Sequence, residues 1–316
     1  MLIDNPAVLA SIVLVVVLSI AVPSFLTAKN ILNVLQQMSI YGISIVGLAF
    51  VLICGGNDLS IGANITFSSI MGAMVMVQIF PAGGALVGVL VAILTGCVIG
   101  LVNGLMVAKM GINPFMMTLI MSMLLEGLSI ITTNAMAIGN FPEAYIAIGS
   151  GSFLGLPITL WILILFYAAG QFILKKTAVG RKIYATGTNR KAADLVGIRT
   201  DWLLIGTYIF CGMCASVAGI VLTSRLMAAT PNSGTNLLLD IMSAALLGGC
   251  SLFGGKGSVL GAAAGVLLLS LVANGLNLMG FAYNTTMIIK GIIILIAVIL
   301  DASKGNWGMS RKKVAS

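Results

Sequence analysis

The stretch that decides the reading of this chain is TAVGRKIYATGTNRKAADLVGIRTD, Thr177 to Asp201. It is a polar island in a sequence of 316 residues that is 59% hydrophobic and 8% charged, has a mean hydropathy of +1.15 and contains no histidine. A soluble domain carries about 25% charged residues, so the chain outside the island is built for lipid. Since a bilayer core roughly 30 Å thick takes about 20 apolar helical residues per crossing, the apolar runs predict spans near 7 to 26, 31 to 53, 63 to 80, 84 to 108 and 113 to 133. After these come 157 to 174, 202 to 225, 237 to 251, 259 to 276 and 285 to 301. The expected fold is an all-α integral membrane protein of about ten transmembrane helices, one permease-like domain over 1–316. The runs 63 to 80 and 237 to 251 are short enough to be re-entrant or broken helices.

The lysines and arginines set the expected orientation, because cytoplasmic loops are enriched in them. Lys175, Lys176, Arg181, Lys182, Arg190, Lys191 and Arg199 crowd the segment 175–201, and Lys304, Arg311, Lys312 and Lys313 mark a basic tail, 302–316. Placing both inside puts both termini in the cytoplasm and the Ala135 to Leu156 segment outside. Lys109 and Lys256 then also fall inside, with Lys29 and Arg225 as exceptions near the outer surface. The net charge of +8 is thereby a topological signal; no aromatic-basic interleaving points to nucleic acid. The first apolar run lacks a basic leader and a small-residue cleavage site, so it is read as a retained helix.

Five cysteines, Cys54, Cys97, Cys211, Cys214 and Cys250, lie in or beside apolar spans. Their odd number suggests no disulfide framework, and Cys211-x-x-Cys214 has neither a soluble redox context nor a histidine to complete a metal site, so these residues are read as packing groups. The 38 glycines recur with alanine and serine along the spans, as in Gly96 to Gly104 and Gly261 to Gly265, a composition that lets helices approach closely in lipid. Within the island Asn189 suits a helix N-cap, Arg190 to Val196 gives two turns, and Gly197 supplies a left-handed C-terminal cap. Ala192, Ala193 and Val196 would then form a slim apolar side able to enter a groove, with Arg190, Lys191 and Asp194 giving polar contacts around it.

The pattern Gly180-Arg181-x-Ile183-x-Ala185-x-Gly187-x-Asn189-x-x-Ala192-Ala193-x-x-x-Gly197-Ile198 resembles the cytoplasmic coupling region of permeases from ribose-type monosaccharide ABC importers. Gly55-Gly56-Asn57-Asp58-Leu59-Ser60-Ile61-Gly62, Asn113-Pro114-Phe115, the Phe141-Pro142-Glu143 to Gly155 segment and Gly248-Gly249-x-Ser251-x-x-Gly254-Gly255-x-Gly257-Ser258 follow the same family in the same order. The likeness runs from about residue 31 to 301. Two positions depart from it: Lys191 stands where members often carry an acidic residue, and Asn57 where an aliphatic one is usual.

The resemblance implies a type II importer-like permease whose candidate inverted repeats are about 31–133 and 202–301. It also implies a second permease copy or paralogue, a separate ATPase carrying ATP and Mg, an external or periplasmic sugar-binding protein, and a bacterial inner-membrane location. Gly180, Arg181, Asn189, Lys191, Ala192, Ala193, Asp194, Gly197 and Ile198 would meet the ATPase. The chain itself has no G-x-x-x-x-G-K-[ST] phosphate loop, since Gly254-Gly255-Lys256-Gly257-Ser258 has the wrong spacing; that segment reads as a tight turn. No catalytic residue, metal site or bound cofactor is expected.

A path for a neutral hydroxylated sugar needs hydrogen-bonding groups with little fixed charge, which suits Asn57, Ser60, Asn64, Asn103, Asn113, Asn134, Asn274 and Asn277. Each could equally be an interhelical hydrogen-bond former. Ionisable groups inside spans cost about 2.5 to 3.5 kcal/mol at a helix centre on insertion scales, so Glu126 and Lys290 call for a partner, conceivably each other. Asp58 and Asp240 lie nearer span ends. In an ion-coupled carrier, the alternative reading, such residues would bind the driving ion. An intramembrane enzyme is disfavoured, for no nucleophile with a base and no metal-ligand cluster is recognisable.

Overall fold

The computed structural model describes residues 6–282, 284–293 and 295. Its helices are α1 Pro6–Ala21, α2 Ala28–Ile53, α3 Ile61–Met74, α4 Gly84–Ala108, α5 Pro114–Thr133, α6 Glu143–Ser150, α7 Ile158–Lys176, α8 Ala178–Thr188, α9 Arg190–Leu195, α10 Thr200–Leu226, α11 Leu237–Leu247 and α12 Val259–Leu278. A π-turn over Val75–Ile79 prolongs α3, a 3-10 turn spans Pro81–Gly83, and the only strands among the described residues are the two-residue arms Ser152–Phe153 and Leu156–Pro157 of a small hairpin. Residues 284–293 are helical; the rest of the expected span 285 to 301, apart from residue 295, and the tail 302–316 lie outside the described residues.

Among the described residues seven helices are long and apolar enough to cross a membrane, and Pro6–Ala21 and Leu237–Leu247 are shorter apolar helices. The chain is therefore an all-α multi-pass membrane protein. The first helix stops at Ala21 rather than 26. Pro23 lacks an amide hydrogen and disfavours helical backbone at Val22, so the remaining residues turn. At 11 residues, α11 rises only about 16 Å, half the thickness of a bilayer core.

Side-chain caps fix several helix starts. Thr27 caps α2 by accepting from the Asn30 amide, Asn113 caps α5 by accepting from Phe115 with Pro114 in the first turn, and Ser258 caps α12 by accepting from Gly261. The island holds more helix than expected. Thr177 accepts from the Gly180 amide and opens α8 over Ala178–Thr188, whose buried side is Gly180, Ile183 and Thr186. Its polarity made this segment read as loop; its amphipathic pattern and its packing outweigh the propensity cost of its two glycines.

The bundle is organised around α10. A Cβ added at Gly96 would be 2.7 Å from the Ser216 Cβ, one at Gly104 would be 2.9 Å from the Ile205 Cα, and those at Gly100 and Gly212 would collide with the Tyr208 and Gly96 carbonyl oxygens. Here α4 and α10 touch backbone to backbone. On another side of α10, a Cβ at Gly47 of α2 would lie 2.7 Å from the Cys211 Cα and 2.9 Å from the Cys214 Cβ. Both cysteines are free and buried, filling this contact as small polarisable groups.

The connections gather at two ends. At one, the turn after α2, the end of α4, the island and the turn before α12 meet: Lys109 reaches Asp201 at 2.9 Å, and Tyr184 donates to the Gly257 carbonyl at 2.7 Å. At the other, Ile138 and Ala229 exchange backbone hydrogen bonds of 2.9 Å, and Tyr145 meets Thr223 at 2.6 Å.

Because α4 and α10 leave no room for a methyl group, Gly100→Ala is expected to destabilise the purified protein by about 1 to 3 kcal/mol. Gly206→Ala, on the same α10 but with open space around its Cα, is expected to be neutral or to stabilise by up to about 1 kcal/mol. Thermal unfolding in mild detergent reads both; equal effects would remove the steric account of the contact.

Candidate coupling site and polar cluster

The short helix α9 is held by its own ends. The Asn189 side chain accepts from the Ala192 amide at 3.0 Å, and beyond Val196 the chain turns left-handed at Gly197, φ +83°, where the Gly197 amide donates to the Asp194 carbonyl at 3.0 Å and Ile198 to the Ala193 carbonyl at 3.1 Å. Only a residue without a Cβ takes that conformation at little cost. Six residues would not stay helical alone; these caps and the anchors below them hold the turn.

The anchors are polar and tie the turn to its neighbours. Arg190 donates from Nη2 to Asp201 Oδ1 at 2.6 Å and to the Ala108 carbonyl at 3.4 Å, and from Nε to Thr200 Oγ1 at 3.3 Å. Thr200 in turn donates to Asp194 Oδ1 at 2.6 Å, and Lys109 to Asp201 Oδ2 at 2.9 Å. Asp201 lies in the first turn of α10, where a carboxylate suits the helix dipole. These exposed pairs contribute little energy individually; jointly they fix α9 against the end of α4 and the start of α10. Arg190 and Asp194, expected as contacts for a partner, thus also fasten α9 to the bundle. Lys109 also lies over the Trp202 ring, 5.3 Å from its centroid, beside a cleft of about 380 Å³ lined by Asp194, Arg199 and Thr200.

The face that α9 offers differs from the expected one. Ala193 is buried, at 4% exposure, because it packs back on the chain, whereas Leu195 is 89% and Val196 76% exposed, with Ala192 and Lys191 exposed beside them. The outward apolar group is therefore Ala192, Leu195 and Val196. Leu195 was missed although helical spacing places it, with Val196, on the face of Ala192 and sets Ala193 apart. Gly180 sits in the α8 cap, Arg181 is exposed and Ile198 half-buried. Burial pushes the Tyr184 phenol up, with the neighbouring Cys250 adding to the shift, so it stays a neutral donor to Gly257.

The polar path candidates divide. Asp58, buried, accepts from the Ser60 amide at 2.9 Å and the Ser60 hydroxyl at 2.6 Å, and Asn103 donates to Ser60 at 2.8 Å. One turn on, Asn64 donates to the Gly96 carbonyl at 3.5 Å, and the Asn57 backbone exchanges hydrogen bonds with the Tyr208 hydroxyl at 3.3 and 2.7 Å. Asn57, Asp58, Ser60, Asn64 and Asn103 are thus brought together where α3, α4 and α10 meet, and the side-chain oxygens of the three asparagines are buried without a protein partner. The others lie elsewhere. Asn113 caps α5, Asn134 ends it in a left-handed turn, Asn277 is exposed, and Asn274 forms a reciprocal amide pair with Asn30 at 2.8 and 3.0 Å.

Nor do Glu126 and Lys290 pair. Lys290 binds Asp240 at 2.8 Å, joining α11 to the helix over 284–293, while Glu126 accepts from Ser122 one turn earlier on α5 at 3.3 Å. Local spacing identified the need for partners; their identity depends on contacts between distant segments.

A family profile described as branched-chain amino acid transport system / permease component matches residues 30–298. The chain is 37% identical over 308 residues to the ribose import permease protein of Escherichia coli (strain K12), covering 96% of this chain and 95% of that one. It is 39% identical over 295 residues to the ribose import permease protein of Bacillus subtilis (strain 168), covering 92% and 90%. The L-arabinose ABC transporter permease protein of Azospirillum brasilense is 33% identical over 310 residues, covering 96% and 89%. No solved structure matches. A match over most of the chain, together with these identities over more than nine-tenths of its length, makes it a member of this permease family, beside the ribose-type ABC import permeases.

Proposed function

We propose that this chain is the membrane-spanning subunit of an ATP-driven, binding-protein-dependent importer of a monosaccharide, a pentose such as ribose or arabinose, a hexose or a related furanose. The observation that carries the reading is α9: a capped turn of helix, fastened to α4 and α10, that turns Ala192, Leu195 and Val196 outward. Adjacent aliphatic side chains held outward on a fastened helix suit cover by a protein partner. Their occupant in this reading is a separate ATPase, which would hold the ATP and Mg. A secreted sugar-binding protein on the opposite side and a second permease copy or paralogue complete the machine. The sugar class rests on the ribose and arabinose permeases to which the chain is similar.

The orientation that suits this assembly places the island in the cytoplasm and both termini with it. In support, the end of the bundle that holds the island also gathers Lys109, Lys175, Lys176, Arg181, Lys182, Lys191, Arg199 and Lys256, as cytoplasmic loops should. The inverted-repeat reading, about 31–133 against 202–301, is supported by the order of lengths: long α2, short α3 and long α4 in one half, long α10, short α11 and long α12 in the other. Candidate path groups are the Asn57, Asp58, Ser60, Asn64 and Asn103 cluster and Glu126, with Asn113 and Asn134 at the two ends of α5. Asn274 holds α12 to Asn30, and Lys290 pairs with Asp240.

The coupling reading is tested by purifying the tagged chain from its native cells in mild detergent and identifying the proteins that come with it. Leu195→Asp with Val196→Asp, both on the exposed face, should cut recovery of the ATPase at least tenfold while leaving the permease melting curve unchanged. Undiminished ATPase recovery would remove α9 from the docking site. The ion pair gives a second outcome: its side chains are only 14% and 18% exposed, and removing one partner of a buried pair costs about 3 to 5 kcal/mol. Lys290→Met alone should therefore lower stability and uptake, and Asp240→Asn added to it should restore part of both. A double variant no better than the single would show that the two charges do not answer to one another.

A further inference from the structure

The glycine-rich turn before α12 is too irregular to be a span and has the wrong spacing for a phosphate loop, yet the structure builds it with care. Ser251 donates its amide to the Lys256 carbonyl at 3.1 Å and its hydroxyl accepts from the Phe253 amide at 3.1 Å; Gly254 donates to the Ser251 carbonyl at 3.3 Å. Gly254, Gly255 and Gly257 take φ values of +85°, +71° and +143°, which side-chain-bearing residues rarely adopt. The turn is therefore closed on itself, and its tip is apolar: Phe253 is 94% and Leu252 43% exposed, with Lys256 exposed beside them.

Its base is clamped to the island. The Gly255 amide donates to the Ile53 carbonyl at 2.9 Å. A Cβ at Gly254 would be 2.6 Å from the Gly187 oxygen and 2.9 Å from the Gly55 Cα, one at Gly255 would be 2.6 Å from Thr188 Oγ1, and one at Gly187 would overlap the Ile53 carbonyl. Four glycines thus let the turns after α2 and before α12 close on the end of α8, directly before the Asn189 cap of α9. Tyr184 adds a hydrogen bond to the Gly257 carbonyl at 2.7 Å.

From these contacts we propose that the Ser251–Gly257 turn is a second seat for the ATPase that takes α9, with Phe253 as its anchor, and that the glycine clamp makes the two seats move together. The proposal rests on the importer reading. The occupant follows from position. Through Gly254 and Gly187, Phe253 lies within roughly 16 Å of Asn189, since consecutive Cα atoms are 3.8 Å apart. A partner covering about 800 Å² around α9 extends that far. The neighbours of the clamp on the α8 side, Thr188 and Asn189, are exposed polar residues, which sets the turn beside the island rather than on a lipid-facing flank. A rigid aromatic among small and aliphatic groups is a common interface anchor. Mechanically, a load applied at both seats would reach α2 through Ile53, α10 through Asp201, and α12 through Gly257, spreading it over both halves of the chain.

The test is a photo-crosslinking amino acid, p-benzoylphenylalanine, placed at Phe253 in the full chain and irradiated in the assembled complex, with Phe172 on α7, 62% exposed, as an exposed aromatic control outside both seats. An adduct with the ATPase at 253 and none at 172 is expected, as is an approximately tenfold weaker hold on the ATPase for Phe253→Ala. Adducts from 253 only to lipid or to a second permease copy, while the ATPase co-purifies, would overturn the second seat and leave the importer reading standing. If no ATPase accompanies the unmodified chain, the importer reading fails and this proposal falls with it.

Discussion

The contact on which the rest of this structure depends is that of α4 with α10, made without side chains at Gly96, Gly100 and Gly212. In lipid there is no hydrophobic gain in bringing two apolar helices together, so association rests on close van der Waals packing, and glycine permits the closest. Because α10 also carries α2 at Gly47 and α3 at Gly219, whose added Cβ would be 3.2 Å from the Ser69 Cβ, it serves as the common post of the bundle. Contacts of this kind have no flexible side chain to absorb a shift. A displacement of the first turn of α10 is thus passed along the post rather than lost, and that first turn carries Thr200 and Asp201, the residues to which α9 is fastened.

How much of this could be read in the sequence depends on how local each feature is. The seven long apolar helices were legible from apolar runs, and so was α9, because an asparagine before a helical stretch and a glycine after it satisfy that stretch's own backbone. α8 was not, since its polarity reads as loop, and Gly180 and Gly187, which argue against helix locally, are required by packing: the first lies against the Ile173 and Leu174 carbonyls, the second against Ile53. Which side of α9 faces outward was equally beyond spacing. Ala193 and Leu195 lie on opposite sides of a helical wheel, about 200° apart, and which side turns outward is settled by Arg190 and Asp194, which tie the Ala193 side down. The partner of Lys290 was hidden because Asp240 lies 50 residues away, and no periodicity carries information over that distance.

The polar groups follow the same division. Asn30 and Asn274 exchange two side-chain hydrogen bonds across α2 and α12, a fixed rivet between helices. The cluster around Ser60 is different in kind: Asp58, Ser60 and Asn103 are linked, but the side-chain oxygens of Asn57, Asn64 and Asn103 are buried with no protein donor. The paired amides resist separation of α2 from α12, whereas the acceptors at Asn57, Asn64 and Asn103 remain available to a hydroxyl donor, the chemistry that the proposed sugar path requires.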